Sequence, residues 1–141
     1  MVEIWRAIPG DDRYEVSNLG RVRSWIKRGM RRPGHRSDDP ALINPVLSGG
    51  KTPYLRVYLS DPNCVSSRKW AYVHHLVLLA FVGPRPKGMH IRHLDGNPHR
   101  NELSNLKYGT VSENQLDRRV HGTSNAGERN GMSKAHRETR V

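Results

Sequence analysis

Residues 90–110, HIRHLDGNPHRNELSNLKYGT, hold three histidines and three asparagines in a short polar stretch. Those residue types suit the cleavage of a phosphodiester. The reaction needs a base beside the attacking water, a cation for the charge that develops on phosphate, and groups that hold both in register. A histidine on a strand can accept the proton near neutral pH. An asparagine from the facing strand can accept its N–H through a side-chain or backbone carbonyl and so fix tautomer and ring direction. A side-chain oxygen from the following helix can reach a metal from the other side. His93, Asn105 and Asn114 fall in that order along the chain.

The elements that must carry them are legible nearby. MHIRHL and NLKYGT read as two strands, joined by a loop rich in Asp, Asn and Pro. Thr110 and Glu113 have capping-box spacing, so a helix is predicted from near Val111 through SENQLDRRV. Upstream, KWAYVHHLVLLAFVG is long enough for a helix with Val73, Val77, Ala80 and Phe81 on one apolar face, stopped by Gly83-Pro84. The first segment, EIWRAIPGDDRYEVSNLGRVRSW, reads as short strands separated by turns at Pro9–Asp12 and Asn18–Gly20. In its last strand Val22 points one way, Arg21 and Arg23 the other. Residues 27–40 carry Pro, Gly and basic residues without period and are expected to be a mobile loop. Further strands follow in ALINPVLSGGKTPYLRVYLS. The fold expected is α+β, a small antiparallel N-terminal sheet followed by a strand–loop–strand–helix unit. Residues 122–141 are polar and basic and are expected to be disordered.

Composition narrows the partners. Lys and Arg number 24 against 13 Asp and Glu, a net charge of +11 on 141 residues. Such a field draws polyanions, nucleic acid first among them. No apolar run reaches the length a membrane span needs, and no amphipathic helix has a basic polar face. The N-terminus lacks the apolar core of a signal peptide, and the single Cys64 cannot form an internal disulfide. A reducing cytoplasm is the expected setting.

RHLDGNPHRNELSNLKYGTVSEN resembles the core of HNH endonucleases of the phage and intron-homing kind, a ββα-metal fold. EIWRAIPGDDRYEVSNLGRVRS resembles the nuclease-associated modular segment that precedes such cores, and VHHLVLLAFVGPRPKG is similar to the helix and linker between them. The resemblance implies an N-terminal segment over 1–66, a nuclease core over 67–121 and a tail over 122–141. It also implies a phage-encoded or mobile enzyme, a monomer or weak dimer, that cuts or nicks double-stranded DNA with one divalent cation, Mg²⁺ or Mn²⁺. The cytoplasm would then be that of a bacterial host. By position, His93 matches the general base, Asn105 the asparagine that orients it, and Asn114 a metal ligand.

Arg92 departs from the pattern, because relatives carry Asp or His immediately before the base as the other metal ligand. An arginine has no free lone pair and stays protonated. His90 and Asp95 are the candidates to replace it as ligands, and Arg92 itself could clamp the scissile phosphate. Asx turns that shape the loop are the plainer reading of Asp95, Asn97 and Asn101. His74 and His75 lie on the predicted long helix, where one is expected to face the sheet and bond a backbone carbonyl. Phosphate contacts are expected from Arg21 and Arg23 on their strand, from Lys27, Arg28, Arg31 and Arg32 in the basic loop, and from Arg118 and Arg119 on the last helix. The rival readings are a DNA-binding remnant of the family that no longer cleaves, with Arg92 as the sign of a lost ligand, and a protein that binds RNA by charge alone.

Overall fold

The computed structural model describes residues 2–26, 36–51, 53–60 and 68–120. Nine strands in three antiparallel sheets, two α-helices and a short 3-10 helix (Leu103–Asn105) occur among them. The first is a meander of β1 (Trp5–Ile8), β2 (Asp11–Ser17), β3 (Val22–Ile26) and β4 (Arg36–Ile43). The second comprises β5 (Val46–Leu47), β6 (Leu55–Ser60) and β7 (Arg68–Tyr72). Helix α1 (Val73–Phe81) follows directly. A two-stranded ribbon of β8 (His90–His93) and β9 (Leu106–Gly109) then leads into α2 (Val111–Val120).

Two expectations from sequence are corrected here. Residues 36–40 belong to β4, not to a loop: Arg36 pairs with Ile26 in the ladder. Pro40 is compatible with that strand because β4 is at the edge of its sheet, where a missing N–H need cost no ladder bond. Residues 27–35, with Lys27, Arg28, Arg31 and Arg32, and the tail from 121 onward lie outside the described residues. The long helix is also shorter than its apolar run. Lys69–Tyr72 are strand, with Trp70 paired to Tyr58 and Tyr72 to Arg56.

The core explains why α1 is so apolar. Val73, Leu76, Val77 and Leu78 are all buried, because the helix contacts β1, β2, β6, β7 and β9. Around it lie Ile8, Tyr14, Val16 and Val22 from the first sheet, Val57 and Leu59 from the second, and Leu106 from the ribbon. Full burial of a side chain such as Val16, Val57 or Val77 contributes about 1.5–3 kcal/mol each. The N-terminal and C-terminal segments therefore share one core.

A second junction is polar. Asn18, in the turn after β2, accepts from the Ile4 N–H through Oδ1 at 2.7 Å and donates to the Val2 carbonyl at 3.1 Å. Its own carbonyl accepts from the Leu103 N–H at 2.8 Å. Two residues on, Gly20 has φ +85°, and a Cβ there would sit 2.8 Å from the Asn101 carbonyl oxygen. The N-terminal turn thus presses on the loop between β8 and β9.

Candidate active site

Four residues make β8, and their alternation sorts the chemistry. Ile91 packs against the core beside His93, while His90 and Arg92 take the other face. His90 is exposed. His93 pairs with Leu106, and the Leu94 N–H donates to the Asn105 carbonyl at 2.8 Å, closing the ribbon at its loop end.

The loop is built by its carboxylate and amides. Asp95 Oδ1 accepts from the Asn97 N–H at 2.8 Å, and Asn97 Oδ1 accepts from the His99 N–H at 3.0 Å, two successive Asx turns. Asp95 Oδ2 pairs with Arg100 at 2.6 Å. The Asn105 side chain is spent on the same loop: Nδ2 donates to Asp95 Oδ1 at 2.8 Å and to the Arg100 carbonyl at 2.9 Å, and Oδ1 accepts from the Asp95 N–H at 3.0 Å. These bonds hold the Asp95 carboxyl below the usual carboxylate range, against the opposing effect of burial.

The partner of His93 is therefore Asn101, not Asn105. His93 Nε2 lies 2.9 Å from Asn101 Oδ1. An amide oxygen only accepts, so Nε2 carries the proton and the Nδ1 lone pair is left to accept another. Asn101 is buried, and its Nδ2 has no partner among the described residues. Sequence reasoning takes Asn101 for a turn former. The available signal is its place in the loop that folds back over His93, once Asp95 and Asn97 have satisfied the turns themselves.

Aromatic rings enclose the histidine. Tyr54 stacks on His93 at 6.0 Å and 18°, and His74 meets it edge-on at 5.2 Å. His74 in turn stacks on Tyr72 at 5.4 Å. Its Nδ1 is buried without a hydrogen-bond partner among the described residues. Burial pushes His74 down to about 3. Burial also lowers His93, with Asn101 and Asp95 pulling part of the way back. His93 is consequently neutral, in the base form, at pH 7.

Arg92 crosses to α2. Its Nε and Nη2 bond the two oxygens of Asp117 at 2.6 and 3.0 Å, and Nη1 reaches Glu113 at 3.0 Å. The stem passes over Gly109, where a Cβ would fall 2.2 Å from Arg92 Cδ. Glu113 also closes the predicted capping box with Thr110, through bonds of 3.0 and 3.2 Å. Asn114, one residue on, has its backbone N–H bonded to the Thr110 carbonyl. No hydrogen bond engages its side chain among the described residues.

Sequence comparison agrees with this layout. Residues 71–116 match the HNH endonuclease family and residues 3–59 match the NUMOD4 motif. The chain carries an HNH endonuclease domain behind a NUMOD4 motif. The fold is likewise that of a solved structure described as DNA binding and cleavage by the HNH homing endonuclease I-HmuI. The TM-score is 0.67 and the identity 28%, over 98% of this chain and 67% of that one. Among curated proteins, a SPbeta prophage-derived HNH homing endonuclease of Bacillus subtilis is 42% identical over 64 residues, 44% of this chain and 37% of the relative. An HNH endonuclease of Acanthamoeba polyphaga mimivirus is 31% identical over 117 residues, 79% of this chain and 25% of the relative. The chain thus spans well under half the length of these curated relatives.

HNH nucleases generally use a divalent metal, and the residues present here do not fit a metal centre held by protein alone. No group of three or more His, Cys, Asp or Glu is arranged around a common point among the described residues. A guanidinium occupies the position before the base, the Asp117 and Glu113 carboxylates are committed to it, and Asp95 is committed to its loop. The N-terminal arginines are occupied as well. Arg21 pairs with Glu3, while Arg23 pairs with Glu15 at 2.6 Å and lies 4.1 Å over the Trp5 ring. Arg118 and Arg119 fall in the last turn and a half of α2, with Arg119 exposed. No helix of the described residues is long and apolar enough to cross a membrane.

Proposed function

We propose that this chain is a DNA endonuclease that hydrolyses phosphodiester bonds in double-stranded DNA, with His93 as the general base that deprotonates the attacking water. One observation supports it above the rest: a half-buried histidine whose Nε2–H is fixed by Asn101 and whose burial keeps it unprotonated near pH 7. Nδ1 is then the accepting atom. Asn105 acts through the loop, by holding Asp95 and the Arg100 carbonyl so that Asn101 meets the ring. The buried Asn101 Nδ2 is an amide donor that a phosphate or water oxygen of the bound substrate would satisfy. Phosphates elsewhere on the duplex would be held by Lys27, Arg28, Arg31, Arg32, Arg118 and Arg119, with Arg21 and Arg23 in reserve. A single catalytic histidine serves one strand at a time, so a monomer nicks, and cutting both strands takes a weak dimer or two encounters.

An accompanying Mg²⁺ or Mn²⁺ would take most of its oxygens from phosphate and water, as Mg²⁺ commonly does. Of the ligands expected from sequence, only Asn114 and His90 have side chains not already committed to the loop or to α2. The second reading, a DNA-binding remnant that no longer cleaves, is favoured by Arg92 and its two carboxylates. Nicking of supercoiled plasmid with Mg²⁺, Mn²⁺ and chelator decides between them. His93→Ala should slow nicking by roughly 10²–10⁴-fold while duplex affinity stays within about twofold, since general-base catalysis is worth that much. Metal-independent binding with no nicking by the parent protein would establish the remnant.

A further inference from the structure

The second sheet presents a surface that the proposed cleavage chemistry does not use. Period-two alternation sends Val57, Leu59 and Ala71 inward and leaves Arg56, Tyr58, Trp70 and Tyr72 on the opposite face. Cross-strand register sets Tyr58 beside Trp70 and Arg56 beside Tyr72. The three rings are 45%, 46% and 43% exposed. Only nine residues of the chain are Trp, Tyr or Phe, so a third of its aromatics share this one exposed face. Tyr58 and Trp70 stack at 4.5 Å, and the Arg56 guanidinium lies 4.1 Å over the Trp70 ring.

The face is continuous with the site. Tyr72 stacks on His74, and His74 touches His93. Ring contacts therefore run from Tyr72 to the proposed base, and Trp70 is two residues away from Tyr72 on the same face of β7.

We propose that this face binds unpaired nucleotides of DNA, bases stacked on Trp70, Tyr58 and Tyr72, with Arg56 against the backbone or the base plane. The inference rests on the reading of the chain as acting on DNA and names what it grips beside the cleavage site. Flat rings interleaved with a cation on antiparallel strands are suited to bases freed from a helix, because a stacked duplex has no base face to offer. Charge decides the occupant. A +11 chain repels a second copy of itself and attracts a polyanion, and the guanidinium adds cation–π attraction to a stacked base.

Fluorescence titration of the full chain with oligothymidylate tests this. Trp70→Leu and Tyr58→Leu keep the apolar bulk and remove the ring. Each should weaken oligothymidylate binding by roughly 5- to 150-fold, the range set by loss of one stacked base. Trp70→Phe should restore most of it, and duplex affinity should stay near the parent value. Undiminished oligothymidylate binding by folded Trp70→Leu overturns the proposal. So would loss of a concentration-dependent self-association by these variants with oligothymidylate binding unchanged, which would assign the face to a second copy. His93→Ala separates the two readings, since it should retain oligothymidylate binding whether or not the parent protein nicks DNA.

Discussion

At the scale of single residues, the candidate site holds two histidines kept neutral by burial to different depths. His93 is half-buried and has one nitrogen pinned by Asn101, while His74 is deeper, has no partner for Nδ1 among the described residues, and is lowered to about 3. That makes His74 a source of pH-dependent stability. Its unfolded pKa is near the ordinary 6.5, so the unfolded chain takes up a proton first as the pH falls below that value. Stability contributed above pH 6.5 is therefore lost progressively toward pH 3, at about 1.4 kcal/mol per pH unit for one proton. His74→Phe should flatten the decline of melting temperature between pH 7 and pH 5 by about one proton's worth, and an unchanged slope would show that His74 is not buried as described. The strand position of His93 was legible in the sequence, because HIRH alternates and turn residues follow it. Its partner was not. Asn101 and Asn105 are four residues apart in one loop, and only the folded loop shows that Asn105 is saturated by Asp95 and Arg100 while Asn101 reaches the ring.

At the scale of elements, β8, β9 and α2 were readable because each has a local signal: alternation in HIRH, turn residues after it, and the Thr110–Glu113 capping box. The strand β7 was hidden because Lys69–Tyr72 runs without a break into an apolar helix, and β4 because Pro40 and a basic approach resemble a loop. What fixes α2 against the ribbon is Arg92, and this was beyond sequence reasoning because Asp117 lies 25 residues away. The guanidinium bridges strand and helix in the place where relatives are expected to carry a metal ligand. Two outcomes follow from one clamp. Chelator should leave the melting temperature of the parent unchanged. Arg92→Asp should lower it, since at this partly exposed site the substitution removes the cation that bridges Asp117 and Glu113 and sets a third carboxylate against them. Mn²⁺ should then restore part of the stability to Arg92→Asp and give a calorimetric binding signal that the parent lacks. Equal Mn²⁺ responses from the two proteins would show that the Arg92 position is remote from any ion.

At the scale of the molecule, charge and packing divide the work between the two segments. The arginines whose side chains are described are largely paired within the chain: Arg13 with Asp11, Arg21 with Glu3, Arg23 with Glu15, Arg100 with Asp95. To hold a phosphate, Arg21 or Arg23 must first surrender an acid. Replacing Lys27, Arg28, Arg31 and Arg32 by alanine should accordingly flatten the log–log salt dependence of duplex binding by about 0.9 for each phosphate no longer held, and Arg21→Ala with Arg23→Ala should flatten it less. Equal effects would mean that the N-terminal pairs open on DNA. The turn after β2, within the NUMOD4 motif, packs against the loop between β8 and β9 that the proposed mechanism uses. Gly20 and Gly10 allow that to be measured, because both have φ near +86° but only Gly20 abuts anything: a Cβ at Gly10 meets nothing within 4 Å, whereas at Gly20 it meets the Asn101 backbone at 2.8 Å. Alanine at either carries the left-handed backbone cost of about 1 kcal/mol. At Gly20 it must also displace Asn101, and with it the oxygen that holds His93 Nε2. Gly10→Ala should therefore lower the melting temperature slightly and leave nicking intact. Gly20→Ala should lower it further and slow nicking at least tenfold, with oligothymidylate binding retained. Matching losses of nicking in the two variants would mean that the turn contributes stability alone and that the loop holds Asn101 without it.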